Sequence, residues 1–250
     1  MNILVFDTET AGSFNKPFCY NIGYVIYDTE TDRTLVSKDF VVEQVWHNDM
    51  LFTSAYYANK RPLYVNRMRA RQTKMSKFGY ICREMARDIE NFNVTSAYAY
   101  NSPFDDNVFK FNCDWYKCIN PFDNIPIFDI RGYVHEFLID NKYKEFCETY
   151  KFFTESGNYS TTAETVFRYV SYNLEFNEEH TALADSEIEL EILLDMVRRG
   201  AKLETAYNVK MSIKREVEKE LEIIVDRKQT AKFKYISKTC RDNKIFLKTK

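Results

Sequence analysis

Asn2 to Phe6 (NILVF) is a short apolar run of strand-forming residues that passes straight into the acids of Asp7-Thr8-Glu9. Such a run reads as a buried strand, and period-two geometry sends Asp7 and Glu9 to the same side of its sheet. Two carboxylates held about 4 Å apart repel by roughly 4 kcal/mol at an effective dielectric of about 20. A fold that accepts this strand must therefore supply a proton, a cation or water at that point, and a donor set made only of oxygens favours Mg2+ or Mn2+. The chain carries its own control, because Asp28-Thr29-Glu30-Thr31 repeats the same tetrapeptide. The second copy runs into Asp32-Arg33 and another strand, as an exposed hairpin turn does. The first runs into Ala11-Gly12, uncharged and small enough for a ligand to close on, and is the copy expected to carry chemistry.

The 250 residues, 45% hydrophobic and 29% charged, suit one large core or a core with an appendage and exclude global disorder. No apolar run approaches the roughly 18 residues of a membrane span. The start lacks the basic region and cleavage site of a signal peptide, so a cytoplasmic location is expected, in the host cell if the AT-rich style of composition reflects a phage. The six glycines lie far apart, which excludes a dinucleotide-binding loop and a phosphate cradle of the Walker type. The six cysteines contain no CxxC pair and no nearby histidine, so free thiols are expected and the spacing gives no Cys/His zinc site.

Strands are expected at Asn2–Phe6, Asn21–Tyr27 and Thr34–Val42, a meander around a polar turn at 28–33. Residues 46–73 lack periodicity and read as a loop with short helices at the edge of any site. A helix over Ser76–Asn91, with Ile81, Met85 and Ile89 on one stripe, leads into a strand at Val94–Tyr100. Another strand at Ile125–Ile130 precedes helical stretches through Leu138, through Phe152 and from Thr162 to Asn173. The helix Thr181–Arg199 sets Ile188, Ile192 and Met196 on one face and stops before Gly200. The fold class is therefore α/β, a mixed sheet flanked by helices. From Arg198 to Lys250 there are 16 basic and 7 acidic residues, leaving 19 and 30 before them. This basic C-terminal stretch, with a helix over about 210–224 and a β-hairpin from KFKYISKT and KIFLKTK, suits contact with a polyanion or a solvated face.

Two more segments carry chemistry. In Tyr100-Asn101-Ser102-Pro103-Phe104-Asp105 a strand turns at a proline into a helix whose first turn holds Asp105 and Asp106, where acids are also favoured by the helix dipole alone. In HTALADSE, His180 stands just before the last body helix and Asp185 in its first turn. Together and in this order, FDTETAG, AYNSPFD and HTALADSEIE resemble the three motifs of the DnaQ-like 3′ to 5′ exonucleases, the DEDDh branch of the RNase H-like superfamily. Tyr100 departs from that pattern, standing where a histidine is common. The resemblance covers residues 1–199, the expected nuclease domain, and leaves 200–250 as a basic appendage packed on it.

The resemblance implies an RNase H-like sheet and a two-metal phosphodiesterase using Mg2+ or Mn2+. Asp7, Glu9, Asp105 and Asp185 are its implied metal-binding residues and His180 its general base; the match in the second motif selects Asp105 over Asp106. Thr10 and Ala11 would line the terminal nucleotide, and Asn101 and Phe104 would position it. The implied partner is single-stranded or 3′-ended nucleic acid, DNA slightly ahead of RNA, in replication or repair. An RNA-processing exonuclease similar to RNase T or oligoribonuclease, and a noncatalytic binding module on the same fold, are the alternatives.

Overall fold

The computed structural model describes residues 1–210 and 212–215. Six strands, β1 (Asn2–Ser13), β2 (Lys16–Asp28), β3 (Arg33–Val42), β4 (Lys74–Ser76), β5 (Val94–Ala99) and β6 (Ile127–Asp129), form one sheet in the order β4-β3-β2-β1-β5-β6. β2 is antiparallel to β1 and β3, whereas β4, β5 and β6 run parallel to the strands they join, so the sheet is mixed as expected.

β1 does not stop at Phe6. Its ladder with β2 continues to Ser13 opposite Lys16, with an irregularity between Glu9 and Thr10. The polar residues after Phe6 are poor strand formers alone, but β2 offers them a complete set of backbone partners, and that tertiary context overrides their composition. On its other side β1 pairs with β5 only over Asn2–Val5. From Phe6 onward β1 has one paired edge and one edge open to whatever else the fold brings there.

Alternation along β1 divides the core into two layers. Leu4 and Phe6 pack with helices α4 (Phe78–Asn91) and α5 (Ser102–Tyr116). Ile3 and Val5 pack on the opposite face with α6 (Ile130–Phe137), α7 (Asn141–Tyr150), α8 (Ala163–Ser171) and α9 (Ala182–Arg198). In α9 the expected stripe of Ile188, Ile192 and Met196 is buried.

Residues 46–73 do hold short helices. α1 (Glu43–Trp46), α2 (Asp49–Phe52), a 3-10 turn (Ala58–Lys60) and α3 (Arg61–Arg69) follow one another. Their anchors are aromatic rather than periodic: Phe52 and Tyr64 each meet both Trp46 and Tyr20 of β2 edge to face, with centroids 5.0–6.2 Å apart.

Beyond Gly200 the described chain returns across the body without regular structure. The Tyr98 and Tyr133 hydroxyls accept the N–H groups of Glu204 and Thr205, Ile213 bridges to Tyr159, and Arg215 makes a two-pronged ion pair with Glu148 at 2.8 Å. A helix therefore does not begin at Lys210, because residues 212–215 are held in this extended contact. The rest of that expected helix, and the expected hairpin, lie outside the described residues.

Candidate active site

Asp7 and Glu9 fall on the α9 face of β1, continuing the alternation of Ile3 and Val5. Their ladder partners in β2 are Gly23 and Asn21, and these two residues seat the start of α9. A Cβ placed at Gly23 would lie 2.0 Å from the backbone nitrogen of Leu183, so only glycine allows the helix to rest there. Asn21 Oδ1 accepts the N–H of Ala182 at 2.8 Å, supplying a helix-start acceptor where the preceding Thr181 makes no side-chain cap. Ser186 adds a hydrogen bond to the Gly23 carbonyl at 3.1 Å. With its first turn fixed over the partners of Asp7 and Glu9, α9 delivers Asp185 to them. One carboxylate oxygen from each of Asp7, Glu9 and Asp185 lies within 4.8 Å of the other two.

Asp105 arrives from the opposite layer. It sits in the first turn of α5, beside the edge of β1 that β5 leaves open, and its Oδ1 accepts both the N–H of Thr8 at 3.2 Å and the Thr8 hydroxyl at 2.6 Å. The carboxylate thereby satisfies a ladder N–H that has no strand partner. Asp106, the neighbour that the sequence could not exclude by itself, points elsewhere and pairs with Lys110 at 2.6 Å.

Burial dominates the electrostatics, with the like charges adding to it. It raises Asp7 well above the usual carboxylate range, followed in effect by Asp105. It pushes Glu9 up to about 10 with help from Asp7 and Asp185, and Asp185 up to about 9 with help from Asp7 and Glu178. Asp105 rises to about 7, burial outweighing the two hydrogen bonds from Thr8. Asp185 Oδ1 is buried and has no hydrogen-bond partner among the described residues. Oxygen donors crowded together, with one left unsatisfied, fit a hard divalent cation.

His180 lies at the rim, outside the group of three converging carboxylates, in the left-handed region at φ +49°. Its ring stacks on Tyr57 with centroids 4.4 Å apart and planes 13° apart, and Nδ1 is 3.4 Å from Glu178 Oε2. Burial and then the Lys60 charge hold its pKa below the ordinary histidine value. Lys60 lies over the Tyr57 ring, donates to the Glu179 carbonyl, and acts electrostatically on both Glu9 and Asp185. Tyr57 and Lys60 come from the aperiodic 46–73 stretch, which named no residues in advance. Glu189 is a further acid that sequence reading passed over. Buried near Asp7 and Asp105, which add to burial in raising its pKa, it accepts the N–H of Tyr100 at 3.0 Å. Its position one helical turn after Asp185 was the available signal.

The four residues expected to bind substrate are placed differently. Thr10 is half-buried on β1, while the Ala11 methyl is in the core. Phe104 is half-buried against the α4/α5 core. Asn101, left-handed at φ +68°, gives its N–H to Asp129 and accepts from Arg131 at 3.2 Å. It lines a cavity of about 480 Å³ with Tyr100, Arg131 and Thr161.

No family model and no curated protein matches this sequence. Solved structures do. The chain is similar to the nuclease domain of 3′hExo, a DEDDh family member bound to rAMP, with a TM-score of 0.52 and 14% identity over 84% of this chain and 97% of that one. It is similar to a 3′-exonuclease solved in 3′-end specific recognition of a histone mRNA stem-loop, with a TM-score of 0.55 and 9% identity over 86% and 76%. A full-length 3′-exonuclease gives a TM-score of 0.54 and 13% identity over 85% and 66%. These likenesses establish the fold, the RNase H-like mixed sheet of DEDDh nuclease domains.

Proposed function

We propose that this chain is a metal-dependent 3′ to 5′ exonuclease that hydrolyses the terminal phosphodiester of nucleic acid and releases nucleoside monophosphates. The observation that carries the reading is the convergence of Asp7, Glu9 and Asp185 within 4.8 Å beside an Asp105 fixed by Thr8.

In this reading Asp7, Glu9, Asp105 and Asp185 hold two divalent ions, Mg2+ or Mn2+. When bound, such ions activate water and neutralise charge on the attacking, leaving and non-bridging oxygens. His180 takes the proton from the attacking water. Its lowered pKa leaves it neutral at pH 7, and Glu178 beside Nδ1 leaves Nε2 as the accepting nitrogen. Tyr57 fixes the plane of that ring by stacking, and the strained backbone at His180 is compensated by this packing and by the docked first turn of α9. Lys60 offers the site a positive charge on the His180 side, available to a phosphate of the incoming strand.

The strand end would lie along Thr10 and the backbone at Ala11, with Phe104 and Asn101 beside it. DNA is favoured slightly over RNA, since the basic stretch after Arg198 suits a grip on a longer strand, and replication or repair is the fitting context. Residues 1–199 would be the nuclease domain. Because residues 201–210 and 212–215 pack on it, a test of the basic appendage should truncate after Arg215.

The deciding experiment incubates 5′-labelled single-stranded DNA, the matching RNA and a 3′-recessed duplex with Mg2+, Mn2+ or EDTA, using Asp7→Ala as the contamination control. A ladder descending from the 3′ end, dependent on metal and absent in the variant, is expected, with relative rates giving the preferred sugar. Tight binding with no cleavage of any substrate would instead make the chain a binding module.

A further inference from the structure

Three cysteines far apart in sequence meet in the α4/α5 layer, on the face of the sheet away from α9. Cys82 is in α4, Cys113 in α5, and Cys118 just after α5. Their sulfurs all lie within 4.8 Å of one another, and all three are free thiols.

The local backbone is arranged around this meeting. Lys117 takes the left-handed conformation at φ +52°, and the N–H of Cys118 donates to the Cys113 carbonyl at 3.1 Å, so the chain folds back and sets Cys118 against Cys113. Gly79 of α4 lies beneath the returning chain. A Cβ there would be 3.2 Å from the Cys118 Cβ and 3.8 Å from its sulfur, so glycine gives Cys118 room to approach α4. Cys82 and Cys113 are buried, whereas Cys118 is half-buried and gives solvent access to the cluster.

We propose that Cys82, Cys113 and Cys118 form a thiolate site for a single zinc ion, separate from the carboxylate centre. Soft sulfur donors select this class of metal, whereas the oxygen-only centre selects Mg2+ or Mn2+. Zn–S bonds of about 2.3 Å place the sulfurs of a tetrahedral site about 3.8 Å apart, so movements of about 1 Å or less complete three of its corners. Water takes the fourth corner on the Cys118 side. Three thiolates and Zn2+ leave one net negative charge, and the Arg83 guanidinium acts on Cys118 as a neighbouring cation. The ion would tie α4 to α5 and to the loop after it.

The test uses the full chain, reduced and stripped of metal, titrated with Co2+ and then Zn2+. A thiolate-to-cobalt charge-transfer band is expected to saturate at one equivalent and to disappear when Zn2+ is added. Carboxylates give no such band, so the result is independent of the exonuclease reading. Cys118→Ser, at the half-buried position outside the helices, should weaken Co2+ binding at least about tenfold, and with the carboxylate centre kept saturated with Mg2+, one equivalent of Zn2+ should raise Tm more in the wild type than in this variant. Cys147→Ser, on the other face, should leave the band unchanged. Absence of the band in the wild type, or an unchanged band in Cys118→Ser, would overturn the proposal. So would recovery of the reduced, stripped protein as a species lighter by two hydrogens, with a disulfide among the three and no Co2+ bound.

Discussion

Asn21 holds Ala182 by its backbone N–H at 2.8 Å, and through that one contact the residue opposite Glu9 in the sheet fixes the helix that carries Asp185. The same carboxamide oxygen accepts the Tyr64 hydroxyl at 2.9 Å, and its nitrogen donates to Asp39 and to the Phe40 carbonyl. One buried side chain thus joins β2, β3, α3 and α9.

Asn21→Ala should therefore lower stability and activity together. Each buried partner left unpaired costs about 1–3 kcal/mol, and urea denaturation at fixed metal concentration measures the sum. Gly23→Ala should be at least as damaging to activity, since its methyl would push α9, and Asp185 with it, away from β1. Wild-type cleavage by Gly23→Ala would refute this account of how the site is assembled.

Thr8→Val keeps the shape of the side chain and removes only the hydroxyl that donates to Asp105. Residues that orient metal ligands typically contribute about 10–100-fold in metal affinity or activity. The Mg2+ concentration for half-maximal cleavage should rise by about that factor while stability in EDTA stays close to wild type. An unchanged metal requirement would mean that the Thr8 N–H alone positions Asp105.

The metal-free protein should lose stability as pH rises. Asp105, Asp185 and Glu9 have folded-state values of about 7, 9 and 10, all above the ordinary value near 4 of an unfolded carboxylate. The native state therefore binds more protons than the unfolded state, and the stabilisation, complete below about pH 4, is lost as pH climbs through the folded values. Melting in EDTA from pH 5 to 9 should show Tm falling, with Mg2+ restoring more of it at the alkaline end because the ion replaces those protons. Asp185→Asn should flatten the decline.

Cleavage by a general base of lowered pKa should be level from about pH 7 upward and fall off in acid. Burial is the larger cause of the His180 shift and Lys60 the second. Lys60→Met should therefore move the acid limb to higher pH, measured at saturating Mn2+ under conditions where chemistry limits the rate. Tyr57→Phe should preserve the profile and Tyr57→Ala should lower the rate, separating the stack from the phenol hydroxyl.

Much of this site could be read from spacing. Alternation along β1 put Asp7 and Glu9 on one side, and the stripe of α9 put Asp185 at its start. Lys60 and Tyr57 were not legible, because the stretch that bears them is held by Phe52 and Tyr64 meeting Trp46 and Tyr20, contacts with no sequence period. The extent of β1 beyond Phe6 was hidden for a related reason, since its backbone partners in β2 decide it rather than its own residues. The meeting of Cys82, Cys113 and Cys118 is likewise a product of α4 packing on α5.

The docking of α9 also orders events in time. Asp7 and Glu9 leave the ribosome first, but the helix that brings Asp185 to them begins at Ala182 and ends at Arg198. Contacts so distant along the chain form late in folding. A nascent chain that ends before Ala182 can hold Asp7, Glu9 and Asp105 but not Asp185, so the carboxylate group is completed only when the final body helix has been made.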